Sequence, residues 1–252
     1  MEEIEVHELK KMKLDKPVMI EGLPGVGNVG KLVAEHMIQE LDAEKIVEIY
    51  SWHFPPQVLV NSNGTVRLCK NELYAWKSKK HDLLILSGDQ QSVTNEGHYL
   101  IAEKLLDLAQ QYGVSRIFTL GGYGIGQLVD RQTVLGAANE VELVDEMKKY
   151  GVEFHEEEPG GSIVGASGLL LGLGKLKGIP AVCLLGLTSG YLVDPKSAQA
   201  VLKILCQVLN LEIDMHALEE RAEEMEKVVE RLKEMEQAQI PRRREEELGY
   251  IR

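Results

Sequence analysis

The chain is poor in cysteine, with Cys69, Cys183 and Cys206 the only three in 252 residues. An odd number in scattered positions gives neither a disulfide framework nor a CxxC metal knuckle. The histidines at 7, 36, 53, 81, 98, 155 and 216 are equally dispersed. None lies three to five residues from another, so zinc-ligand spacing is missing and no metal is expected. No serine sits in a GxSxG elbow. No apolar run approaches the ~20 residues of a membrane span, and the longest candidate, residues 163–176, is short and rich in glycine. The opening MEEIEVHELKK lacks the apolar core of a signal peptide. Positive charge is also in deficit: 28 Lys and Arg stand against 40 Asp and Glu, a net charge of −12. An acidic chain repels phosphate backbones, which argues against a nucleic-acid partner. These absences predict a soluble, cytoplasmic protein with no membrane and no nucleic acid among its partners.

What is present is globular composition, 44% hydrophobic and 27% charged. The length suits one large α/β domain or two small ones, with enough core to need no staples. The acid is unevenly spread. Residues 211–252 carry 8 basic and 13 acidic side chains, 8 − 13 = −5, and the first 210 residues hold the other −7. The C-terminal stretch also lacks the glycine-rich and β-branched runs found earlier. We therefore expect a globular domain over 1–210, a helical arm over 211–240 and a flexible tail over 241–252.

Within 1–210, short apolar runs alternate with amphipathic stretches. Strands are predicted at 17–21, 46–50, 82–87, 116–121 and 181–188, with weaker ones at 73–76 and near 133–137. Helices are predicted over 29–41, 99–112, 141–150 and from Pro195 to about Leu209, the last with Asp194 as N-cap. The runs 58–60 and 65–69 flank Asn61-Ser62-Asn63-Gly64, a hairpin signal. Strands alternating with helices of about 12 residues predict a mostly parallel sheet with helices on both faces. Ligands bind such sheets outside the carboxyl ends of the strands. The loops 22–28, 87–97, 121–127 and 188–194 would converge there if their strands are parallel neighbours.

Gly25, Gly27 and Gly30 in GLPGVGNVG have GxGxxG spacing after a strand and before a helix. Such glycines let backbone amides approach a pyrophosphate, and Glu48 is then the candidate ribose-binding acid. The plainer reading, which we prefer, is a tight strand-to-helix turn with close helix–sheet packing. The same stretch reads GxxxxGK from Gly25 to Lys31, but Leu32 replaces the magnesium-binding Ser or Thr, which speaks against nucleotide hydrolysis. Asp89, His98, Asp130, Arg131 and Asp194 could meet above the sheet edge as acid, base and anion binder, though each separately reads as a cap or surface residue. His36 lies on an apolar helix stripe and reads as a hydrogen-bonded core residue. Gly165, Gly168 and Gly172 would share one helical face, allowing close approach to the sheet or to another subunit.

A series of segments resembles one family. GLPGVGNVGK is followed by Phe54-Pro55-Pro56 with Val58-Leu59-Val60, Glu72-Leu73-Tyr74 and Gly121-Gly122-Tyr123. Then come GASGLLLGLG (165–174) and GIPAVCLLGLTSGY leading to Asp194-Pro195. Together these resemble the PAC2 family, the proteasome assembly chaperones, over roughly residues 10 to 215, and most of all its archaeal homo-oligomeric members. The resemblance implies an αβα sandwich like that of nucleoside phosphorylases, no enzymatic activity and no cofactor. It implies binding to proteasome α subunits or the α ring, with the glycine loop an architectural feature. The alternative is a small-molecule or nucleotide-binding enzyme of that fold, working at the Gly22–Gly30 loop.

The arm repeats apolar residues in steps of four and three: Leu211, Met215, Leu218, Ala222, Met225, Val229 and Leu232. Three such heptads predict a short coiled coil that joins copies of the chain through Leu218, Ala222, Met225, Val229 and Leu232. The alternative is a helix folded back on its own body. Closed symmetry favours a dimer or a dimer of dimers, and we expect a tetramer. After Pro241 the chain ends in Leu248-Gly249-Tyr250-Ile251-Arg252. Several PAC2 proteins end in a hydrophobic residue, tyrosine and any residue, which dock between proteasome α subunits. The resemblance thereby implies a partner-binding role for Leu248, Tyr250, Ile251 and Arg252. Here tyrosine stands third from the end and glycine precedes it.

Overall fold

A computed structural model describes residues 3–127, 129, 132–154, 161–225 and 227–229. The strands are β1 (Ile4–Glu8), β2 (Val18–Glu21), β3 (Glu44–Ser51), β4 (Val58–Val60), β5 (Val66–Leu68), β6 (Asn71–Trp76), β7 (Leu83–Gly88), β8 (Arg116–Gly124), β9 (Val134–Ala138) and β10 (Ala181–Thr188). The helices are α1 (Val29–Glu40), α2 (Asn95–Gln111), α3 (Val141–Lys148), α4 (Ala166–Leu176) and α5 (Pro195–Leu209). Residues 216–225 and 227–229 are also helical.

Eight strands form one sheet in the order β1-β3-β6-β7-β2-β8-β10-β9. The central four, β7, β2, β8 and β10, are parallel. Antiparallel pairing through β6 turns β3 back to the same direction, so β3, β7, β2, β8 and β10 all point one way. β1 and β9 close the two edges antiparallel. The hairpin β4–β5 stands apart as a two-stranded sheet. The central strands are continuous apolar runs because both faces are covered. Met19, Leu84, Leu86, Ile117 and Cys183 face α2 and α4. Ile20, Ile85, Phe118, Val182 and Leu184 face α1, α3 and α5. The result is the expected αβα sandwich.

Local chemistry sets the helix ends. The Thr94 side chain accepts from the Gly97 amide, so α2 starts four residues before the apolar stripe that predicted it. The Asp194 side chain accepts from the Ser197 amide at 2.9 Å, with Pro195 in the first turn. Both side chains favour the extended entry to a helix and satisfy an otherwise orphaned amide.

Candidate functional site

The loops that follow β2, β7, β8 and β10 do meet at one edge. The Gln91 amide nitrogen donates to Pro24 O at 2.7 Å, Lys31 Nζ to Gly88 O at 3.1 Å, and Asp194 N to Gly27 O at 2.9 Å. Glycine makes this convergence possible. A Cβ on Gly22 would lie 2.2 Å from Gly30 O, and one on Gly30 would lie 2.1 Å from Leu120 O. Both contacts are backbone to backbone, so α1 lies directly on the ends of β2 and β8. Gly27 takes φ +61°, the left-handed region that favours glycine. Gly25 has open space around its Cα. Close helix–sheet packing is therefore what Gly22 and Gly30 supply.

Over this junction lies a crevice of about 570 Å³. Val26, Gly121–Gly124, Gln91, His98 and the segment 162–165 are among its walls. No described lining residue is Lys, Arg, Asp or Glu. Burial holds the His98 imidazole below its usual pKa, which keeps the wall neutral.

Beneath the crevice sits a polar layer where the sequence pattern predicts plain strand. Glu21, Thr119 and Cys183 stand at matching positions on β2, β8 and β10 and are fully buried. Glu21 Oε1 accepts from the Leu23 amide at 3.0 Å, and Oε2 accepts from the Ser167 hydroxyl on α4 at 2.9 Å. Burial outweighs these bonds and pushes its carboxyl up to about 7. Burial likewise pushes the Cys183 thiol up to about 12. Thr119 Oγ1 has no hydrogen-bond partner. The only sequence signal for this layer was an acid closing an apolar strand.

The other candidates are dispersed. Glu48 lies on β3, with β6 and β7 between it and β2, and not beside the glycine loop as a ribose acid requires. It accepts from Lys70, from Tyr50 Oη at 2.9 Å and from Lys45 Nζ at 3.2 Å. Burial alone would raise its pKa, but these three donors together bring it down to about 2. Lys45 and Lys70 also bridge to Glu72, at 2.8 Å each, so four charges form one closed network. Asp89 is held by both terminal nitrogens of the Arg67 guanidinium and by the Lys70 amide. Asp194 is a helix cap. Of the proposed acid, base and anion set only His98 reaches the crevice, while Asp130 and Arg131 lie outside the described residues. Lys31 is spent on Gly88 O and on Glu35 at 3.5 Å. The glycine stripe of 160–174 does not form one packed face: Gly165 precedes α4 at φ +86°, Gly168 meets Ile163 O, and Gly172 faces open space. Among the described residues no His, Cys, Asp and Glu cluster could hold a metal.

The C-terminal arm begins on the body. His36 Nε2 hydrogen-bonds Asp214 O at 2.6 Å, and His36 is buried, as the sequence predicts. Leu211, Ile213 and Met215 pack on the α1/α5 core, and Leu218 is fully buried in it. Leu218 thus spends its side chain inside its own chain. Ala222, Met225 and Val229 follow half-buried on the helix. Leu232, Leu248, Tyr250, Ile251 and Arg252 lie outside the described residues. Among these, no helix is long and apolar enough to cross a membrane.

Comparison with known proteins agrees along the length of the chain. The Methanocaldococcus jannaschii protein MJ1210 is 42% identical over 243 residues, 94% of this chain and 93% of the relative. The crystal structure of Pyrococcus furiosus PbaB, an archaeal proteasome activator, is 44% identical with a TM-score of 0.88. The match covers 92% of this chain and all of that one. Pyrococcus furiosus PbaA, an archaeal homolog of proteasome-assembly chaperone, is 28% identical with a TM-score of 0.75, over 98% and 99% of the two chains. The PAC2 family model matches residues 19–233, from the strand that enters the glycine loop to the C-terminal helix, and this chain belongs to the PAC2 family.

Proposed function

We propose that this protein is an ATP-independent, proteasome-directed chaperone that binds α subunits or the assembled α ring. The observation that carries the reading is the full-length similarity to PbaB, an archaeal proteasome activator, in sequence and in fold. The contacts are assigned to the tail, through Leu248, Tyr250, Ile251 and Arg252, and to the surface of a homo-oligomer. Ala222, Met225, Val229 and Leu232 pair the arms of neighbouring copies within a tetramer, with 211–240 as the arm and 241–252 as the tail. Repeated tails on an oligomer gain avidity for a ring of repeated sites. The tail engages in a shifted register or contacts another part of the ring. Pull-down of purified α rings with the full chain and with a chain ending at residue 240 tests this. The shortened chain should lose the ring while keeping its circular dichroism. Retention with unchanged affinity would remove the tail from the mechanism.

The crevice supports a second reading, a small-molecule site. Its described walls hold no cation to pair with a phosphate, so an uncharged nucleoside suits them better than a nucleotide. Any native-state ligand raises the melting temperature. A flat response across nucleosides, nucleotides and dinucleotides would end this reading.

A further inference from the structure

The hairpin β4–β5 is apolar on the side that nothing covers. Its register pairs Val58 with Leu68 and Val60 with Val66, and the alternation of a strand puts these four on one face. The opposite face is tied to the body: Leu59 packs on the α2/α4 core and Arg67 is bound to Asp89. The outward four are bare. Val60 is 72% exposed, Val66 61%, and Val58 and Leu68 are each 50% exposed. Trp52 is 61% exposed and lines one apolar hollow together with Pro55, Pro56, Val58 and Leu68. Two strands alone cannot justify so much solvent-facing valine, and contiguous patches of this kind mark protein contacts.

We propose that this face packs against the same face of a second copy of the chain, about a two-fold axis. Charge favours the copy as occupant. The chain carries −12 overall, yet residues 49–71 contain no Asp or Glu at all. Two copies meeting there keep carboxylates out of the seam, and Arg67 and Lys70 are already neutralised by Asp89, Glu48 and Glu72. Shape favours it as well. A flat rectangle of four aliphatic side chains is self-complementary under a two-fold, as isologous contacts require, and two such sheets stack about 10 Å apart. This contact is separate from the arm. If both operate, two different two-folds give a closed dimer of dimers.

Light scattering of the full chain, wild type against Val60→Glu/Val66→Glu, is the test. Both positions are exposed, so the circular dichroism spectrum should be unchanged while the mass falls to half. A second variant, Val60→Cys, adds an exposed thiol to a chain whose three cysteines are buried. Mild oxidation should yield a covalent dimer on a non-reducing gel. A double variant with wild-type mass, or a wild type that runs as a monomer at high concentration, would overturn the proposal. So would a double variant of unchanged mass that no longer binds α rings, since the face would then belong to that partner.

Discussion

Two glutamates of one sheet behave in opposite ways. Glu21 is sealed under α4, touches only neutral donors, and has its carboxyl raised to about 7. Glu48, at the antiparallel end, meets two ammonium groups and a phenol and is lowered to about 2. The difference reflects how each region is assembled. The parallel centre is built by close approach: glycines let α1 lie on the strand ends of one face, and on the other α4 covers Glu21, which only neutral donors reach. Beyond β7 the α1 face of the sheet, opposite to that of Glu21, carries Lys45, Lys70, Glu48 and Glu72 in place of a tightly seated helix. One region depends on backbone contact and the other on charge.

Breaking the close approach should have the largest effect. Gly30→Ala drives a Cβ into Leu120 O, and we expect a loss of roughly 3 kcal/mol or more in denaturant unfolding. Second is Glu21→Gln. A folded pKa of about 7 against an ordinary 4.5 means the native state holds its proton more tightly. Stability from this group is complete below about pH 4.5 and is lost as pH rises towards 7. Glutamine mimics the protonated acid, so the variant should be more stable than wild type at pH 8 by roughly 3 kcal/mol. It should also show a flatter stability profile from pH 4.5 to 7. Equal slopes for both proteins would refute the assignment.

Third is Lys70→Met, on the charged side. The sign is reversed there: the lowered pKa of Glu48 stabilises above about pH 4.5 and is lost as pH falls towards 2. Removing Lys70 should cost about 1 kcal/mol at pH 7, because Lys45 remains to pair with both Glu48 and Glu72. Acid unfolding should begin at higher pH. Smallest is Gly25→Ala, in the same loop as Gly30 but with open space and extended backbone, expected within about 0.5 kcal/mol of wild type. If Gly25→Ala matched Gly30→Ala, the loop would be sensitive as a whole and not through its two tight contacts.

Much of the parallel centre was legible in the sequence. Residues 83–86 and 181–187 are apolar throughout because both faces are covered, and Asp194-Pro195 announces α5 through cap chemistry. What escaped were features set by neighbours in space. β1, IEVHE, is half exposed and carries alternating charge, so no apolar run marks it. Chain distance points to Glu48 as the partner of the glycine loop, but strand order puts β6 and β7 between them. Glu21 read as a strand terminus because nothing local tells a buried acid from an exposed one. The outward valines of the hairpin were visible as alternation, yet which face meets the body depends on Asp89, 22 residues beyond Arg67 in the chain.

The link between His36 and Asp214 has a mechanical meaning. α1 begins in the glycine loop and, two turns later, grips the segment from which the C-terminal helix starts, with Leu218 seated as a second bolt. Arm, α1 and crevice therefore stand in series. A load applied to the arm enters the body through α1, and the first fixed point it meets at the far end is Gly30 against Leu120. The arm is therefore anchored, through α1, to a contact of backbone on backbone.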